Sequence, residues 1–176
     1  MRYVALLRGI NVGGKTLIKM DALRECVAAL GHDDVSTYIA SGNVLFSTGR
    51  RDVRKLEAEI EAAIEKRFEL PVKVTIRNGR QLAEVVKRIP KRWIGDAKLR
   101  VNVGFLLGGL DARAAAKELT PKDGIDELTT APGALLLATR RDALTRTGLK
   151  LVGTPLYKQI TMRNLNTTLK LAELLE

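Results

Sequence analysis

The chain holds one cysteine, Cys26, and one histidine, His32, in 176 residues. A lone thiol cannot close an intrachain disulfide, and such sparing use of cysteine fits a reducing compartment, so a cytoplasmic location is expected. An ordinary Cys/His zinc site cannot be assembled from one of each, and no metal site is expected. A serine or cysteine nucleophile would have to borrow its base from the exposed-looking turn Gly31-His32-Asp33-Asp34, which leaves a histidine-based triad without support. Aromatic residues are scarce at 4%, and the RNP1-type motif of RNA-recognition modules is missing. No apolar run approaches the ~20 residues that span a bilayer. The opening "MRYVALLRGINV" has too short an apolar segment for a secretory leader, so no membrane partner is expected. The run "KDGIDE" is a turn signal without the ligand spacing of a calcium loop, and no paired carboxylates stand out.

Acid is also in deficit: 20 Asp and Glu against 30 Lys and Arg leave +10, with a pI near 10. That balance favours an anionic partner, either a phosphate-containing small molecule or nucleic acid, over a neutral one. The connector "KRIPKRWIGDAKLR" concentrates Lys87, Arg88, Lys91 and Arg92 beside Trp93, a ring that serves either as a stacking surface or as a packed anchor.

Periodicity supplies the fold. "RYVALLR" reads as a buried strand; Met20, Leu23, Val27 and Leu30 then recur at helical spacing until Gly31. "VSTYIASGNVLFS" predicts two strands around Ser41-Gly42-Asn43. A helix is predicted over 52–68, with Val53, Leu56, Ile60, Ile64 and Phe68 on one face, and "VKVTIRN" alternates as a strand. This order, β-α-β-β-α-β, is the ferredoxin-like split unit. After a helix near 80–88, "RVNVGFLLGG", "DARAAAKEL", "GIDELTTAPGALLLAT" and "RRDALTRT" repeat β-α-β-β-α, and a final helix is predicted over 162–175, with Thr161 as its cap. The expected fold class is α+β: two ferredoxin-like repeats, residues 1–90 and 91–176, packed as one compact unit with a C-terminal helix.

Gly9 to Thr16 satisfies G-x-x-x-x-G-K-[ST], the phosphate-cradling loop of nucleotide enzymes. A working loop of that kind opens its helix at the Gly-Lys-Thr and sits in a parallel sheet. Here the helical pattern starts only near Met20, and the next strand pair is a hairpin. The match is read as accidental, although Gly9, Gly13 and Gly14 still expose backbone donors beside Arg8 and Lys15.

The motifs "LLRGINVGGK" followed by Met20, "TYIASGNVLF", "RVNVGFL" and "TMRNLNTTLKL" run from residue 3 to about 171. They resemble an uncharacterised, mostly bacterial family, domain of unknown function 1697. That resemblance implies an α+β fold of ferredoxin-like repeats and no established activity or cofactor. Its members commonly lack Ser or Thr after the loop lysine, so Thr16 is the chance addition that completes the P-loop pattern. The polar residues of these motifs are Arg8, Asn11, Lys15, Tyr38, Ser41, Asn43, Thr161, Arg163, Asn164 and Thr167. They suit ligand binding better than proton transfer, because Arg and Lys supply charge while amides and hydroxyls supply adaptable hydrogen bonds. A non-catalytic binder of an anionic ligand is expected, with no cofactor. The alternatives are a small phosphotransferase using the 9–16 loop and a protein-assembly module that pairs an exposed strand edge; oligomeric state is left open.

Overall fold

The computed structural model describes residues 1–14 and 17–176. It divides into two compact units, one comprising Met1–Gly79 with Glu173–Glu176, the other Arg80–Ala172. The architecture is the expected α+β one, two four-stranded antiparallel sheets with helices.

In the first unit β1 (Arg2–Leu7) is central, and the strand order with β2 (Asp33–Thr37), β3 (Asn43–Ser47) and β4 (Val74–Asn78) is β2-β3-β1-β4. A strand hydrogen-bonded on both sides and buried on both faces cannot alternate with polar residues; Tyr3 to Leu7 are accordingly all buried. One face packs against α1 (Met20–Ala28) and α2 (Val53–Phe68), where Leu23, Val27, Leu56, Ile60 and Ile64 meet Tyr3, Ala5, Leu7, Val74 and Ile76. Asp52 caps α2 by accepting from the Lys55 amide at 3.1 Å. His32 is not exposed as its turn suggested: at 7% exposure its ring lies 4.7 Å from that of Phe46.

β4 is an edge strand whose outward N–H groups are already taken. Glu57 and Glu61, one turn apart on α2, accept from the amides of Ile76 and Val74, each at 2.9 Å. Blocking an edge in this way removes a template for pairing with another chain.

The second unit repeats the topology with β5 (Leu99–Leu106) central and the order β6-β7-β5-β8, where β6 is Asp126–Ala131, β7 Ala134–Arg140 and β8 Ile160–Asn164. Its helical cover is reduced. α3 (Gly79–Arg88) precedes a 3-10 turn at Lys91–Trp93, and α4 (Ala112–Ala116) is short. No long helix corresponds to α2. Residues 141–159 carry Gly148, Gly153 and Pro155 without helical periodicity, and they form 3-10 turns whose Leu149, Leu151 and Leu156 fill the core against Leu106, Leu135 and Ile160. Asp126 holds this connection by accepting from the Thr147 hydroxyl at 2.6 Å and the Gly148 amide at 2.7 Å.

The C-terminal helix α5 runs from Leu165 to Leu174, not from 162. Residues 160–164 are strand because Ile160 and Met162 face the helix side of the sheet while Thr161 and Arg163 face the other, the two-residue period of a strand. Thr161 therefore does not cap the helix. Asn164 does, its Oδ1 accepting from the Thr167 amide at 2.8 Å.

Candidate functional site

At the end of β1 the chain turns through Gly9 (φ 71°) and Asn11 (φ 54°), a left-handed pair that folds the loop back on itself. The Asn11 amide clamps that loop. Nδ2 donates to the carbonyls of Ile18 (3.0 Å) and Ala40 (2.8 Å), and Oδ1 accepts from the Ile18 amide (2.8 Å). The glycine loop is thereby tied to the 38–43 turn, which Asn43 organises in its turn. Fully buried, it donates through Nδ2 to the Tyr38 carbonyl (2.9 Å) and the Ser41 hydroxyl (3.0 Å). Gly42 is required between them: it sits at φ 78°, and a Cβ would lie 2.8 Å from Ile10 Cδ1 and 2.9 Å from Leu7 Cβ. Arg8, Asn11, Tyr38, Ser41 and Asn43 thus gather at one end of the first sheet, with the Asn11 and Asn43 amides directed at the loops' own backbone. Lys15 lies outside the described residues. Lys19 is extended (φ −67°, ψ 132°), so α1 opens at Met20, and among the described residues of the glycine loop no helix starts.

Thr161, Arg163, Asn164 and Thr167 belong to the second unit. Arg163, 5% exposed, donates from Nη1 to the Thr161 hydroxyl (2.9 Å) and the Met162 carbonyl (2.8 Å). Burial lowers its guanidinium pKa to about 10. The first unit contains the same clasp. Arg77 donates from Nη1 to the Thr75 hydroxyl (2.7 Å) and the Ile76 carbonyl (2.8 Å), and burial lowers its pKa while Glu57 opposes the shift. Both clasps come from one short repeat, Thr75-Ile76-Arg77-Asn78 and Thr161-Met162-Arg163-Asn164, each ending a strand and leading into a helix. Thr75 and Arg77 do not form an open face for stacking bases, since Thr75 is 1% exposed.

The second unit also bears a half-open cavity of about 310 Å³ where the first turn of α5 (Asn164, Leu165, Asn166) meets Trp93, Leu99, Val101 and Arg141. Trp93 is a packed anchor at 1% exposure, and its Nε1–H is buried with no hydrogen-bond partner among the described residues. A wider groove of about 660 Å³ shares Asp96, Leu99 and Arg141 with the cavity and adds Arg92, Lys98, Glu127, Arg140 and Asp142. Arg92 pairs with Glu127, and Arg140 with Asp142 at 2.6 Å. Arg141 and Lys98 are exposed and make no ion pair among the described residues. Nothing in the spacing of Arg141, Asp96 or Asn166 marks them as neighbours. The bond from the Arg141 amide to the Lys98 carbonyl (2.9 Å), which joins the end of β7 to the start of β5, brings Arg141 and Lys98 together. Among the described residues no three His, Cys, Asp or Glu side chains gather as a metal would require, and no helix is long and apolar enough to cross a membrane.

A duplicated ferredoxin-like sheet, with a Thr-x-Arg-Asn strand end in each copy, defines the class of α+β protein to which this chain belongs. The family is equally plain: the chain belongs to the proteins of unknown function designated DUF1697, whose model matches residues 1–135. Among solved structures it is similar to the conserved bacterial protein SP0830 from Streptococcus pneumoniae, at 27% identity and a TM-score of 0.85 over 99% of this chain and 98% of that one. Comparison with curated proteins found no match.

Proposed function

We propose that this protein is a non-catalytic binder of a phosphate-bearing ligand, and that the ligand sits in the second unit against Arg141 and the start of α5. The observation that carries this reading is a guanidinium without an ion pair among the described residues, at a cavity formed in part by a helix N-terminus. The first amides of a helix have no carbonyl partner within it, and the aligned peptide dipoles leave that end positive. An anion placed there meets both. α5 has no acidic residue in its first turn to offset the field, and Asn164 satisfies only the Thr167 amide. The net charge of +10 would raise the local concentration of anions. In the first unit, Arg8 and the glycine loop form a lesser candidate. The phosphotransferase reading draws less support, because β1 is antiparallel to both neighbours and α1 opens at Met20.

The test is titration of the protein with inorganic phosphate and pyrophosphate, followed by amide chemical shifts. Shifts should concentrate at residues 141 and 164–168 and vanish in Arg141→Ala. Perturbation confined to residues 8–14, or surviving that substitution, would move the site elsewhere.

A further inference from the structure

Resting on that anion-binding reading, we infer that the ligand is a nucleotide unit: its phosphate lies between Arg141 and the first amides of α5, and its base and sugar occupy the rest of the cavity. Size comes first. At about 310 Å³ the cavity falls at the lower end of small-molecule pockets, which run to roughly 300–1,000 Å³. A bare phosphate would leave most of it unfilled.

The wall chemistry then separates phosphorylated ligands from one another. Leu99, Val101 and Leu165 line the cavity with apolar surface suited to the faces of a flat ring. Beside them stand the neutral amides Asn164 and Asn166, donors and acceptors of the kind that read base edges. Asn164 Oδ1 is already occupied by the Thr167 amide, so this residue offers a ligand its Nδ2 donors. The exposed Asn166 side chain offers both donor and acceptor. Asp96 is the telling member. A carboxylate repels phosphate, but it accepts hydrogen bonds from ribose hydroxyls, the role an acidic residue takes in dinucleotide sites. One of its oxygens accepts from the Lys98 amide at 2.8 Å; the other has no partner among the described residues. Anion, hydroxyls and a flat heteroatom-bearing ring occur together in a nucleotide, whereas a sugar phosphate lacks the ring and inorganic phosphate lacks both ring and hydroxyl-bearing sugar. The remaining groove cations, Arg92 and Arg140, are neutralised by Glu127 and Asp142, so the walls favour one nucleotide over a long strand.

Trp93 is the chain's one tryptophan and part of the cavity wall, so its fluorescence reports on occupancy. The full chain is titrated by fluorescence and calorimetry with the four ribonucleoside monophosphates, ribose 5-phosphate, inorganic phosphate and a 5′-phosphorylated trinucleotide. At least one nucleotide should bind about tenfold or more tighter than ribose 5-phosphate. Asn166→Ala should erase that margin, and Arg141→Ala should weaken every phosphorylated compound. Both side chains are exposed, so circular dichroism of the variants should match the parent. A trinucleotide that binds tighter than any monophosphate would identify a strand terminus as the source, and the reverse a free nucleotide; either supports the nucleotide unit. Ribose 5-phosphate binding as tightly as every nucleotide would overturn this inference and leave the anion site standing. No binding by any phosphorylated compound would overturn both.

Discussion

Arg163 donates from Nη1 to the hydroxyl of Thr161, two positions back along β8, across 2.9 Å. Arg77 reaches Thr75 in the same way at 2.7 Å. A buried guanidinium is tolerated when its N–H groups find acceptors, and removing one acceptor leaves part of the desolvation cost uncompensated. Thr161→Val keeps the shape and deletes the acceptor. It should lower unfolding stability by about 1–3 kcal/mol in urea titrations, with Thr75→Val close behind. If both variants unfold at the parent's midpoint, the clasps contribute nothing to stability.

This repeat was legible in the residues, though not in their periodicity. "VTIRN" and "ITMRN" are the same template, and the first reads readily as a strand because Val72, Val74 and Ile76 alternate over a long enough run. The second strand is equally long, but Lys158 stands where the first copy has Val72, so the alternation is not extended, and Leu165, Leu169 and Ala172 beyond it impose a helical period that extends backward over it. The hydroxyl of Thr161 then resembles a cap. The other strands and the long helix α2 were legible because each carries its own pattern; "RRDALTRT" reads as a helical turn and forms one at Arg141–Arg146, whereas residues 147–159 have no pattern to read. The side-chain work of Asn11 was hidden for a different reason. Its targets include the Ala40 carbonyl, 29 positions away, which only the folded sheet brings near.

His32 gives the stability of the first unit a pH dependence. Burial is the main cause lowering its pKa below the ordinary 6.5, and Arg50 adds to it, while Glu59 and Asp33 pull the other way. Both ring nitrogens are buried without a hydrogen-bond partner among the described residues, so the native ring is neutral near pH 7. Below pH 6.5 the unfolded chain takes up a proton that the native one refuses. This contribution is therefore intact above about 6.5 and is lost as pH falls toward the folded value, with a slope of at most ~1.4 kcal/mol per pH unit. As the only histidine, its imidazole signals can be followed by NMR and should show a midpoint below 6.5. His32→Phe should abolish that segment of the stability profile. A native midpoint at or above 6.5 would reverse the sign.

Ile39 sits at φ 49°, a left-handed conformation in which a β-branched side chain crowds its own backbone. It is also 47% exposed, so little packing offsets the strain. Asn adopts this conformation more readily. Ile39→Asn should raise stability by about 1 kcal/mol, read as a higher melting temperature. A destabilised variant would mean that the residue's apolar contacts outweigh its backbone cost.

The edge of β4 tests the assembly reading directly. Glu57 and Glu61 accept from Ile76 and Val74, and their side chains also meet the Thr75 hydroxyl at 3.3 Å and the Lys73 ammonium at 2.8 Å. Replacing both glutamates with alanine frees those N–H groups along the edge strand of its sheet. Unpaired strand edges pair with other edges. Light scattering of the double alanine variant should therefore rise with concentration where the parent's does not, with a stability loss of about 2 kcal/mol. The double glutamine variant separates the causes, since its amide oxygens still accept while its charge is gone. If that variant keeps the parent's scattering, the guard is the hydrogen bond; if it associates like the alanine variant, negative charge on α2 repels other chains. Should the alanine variant also scatter like the parent at every concentration, these carboxylates are not what keeps the β4 edge closed.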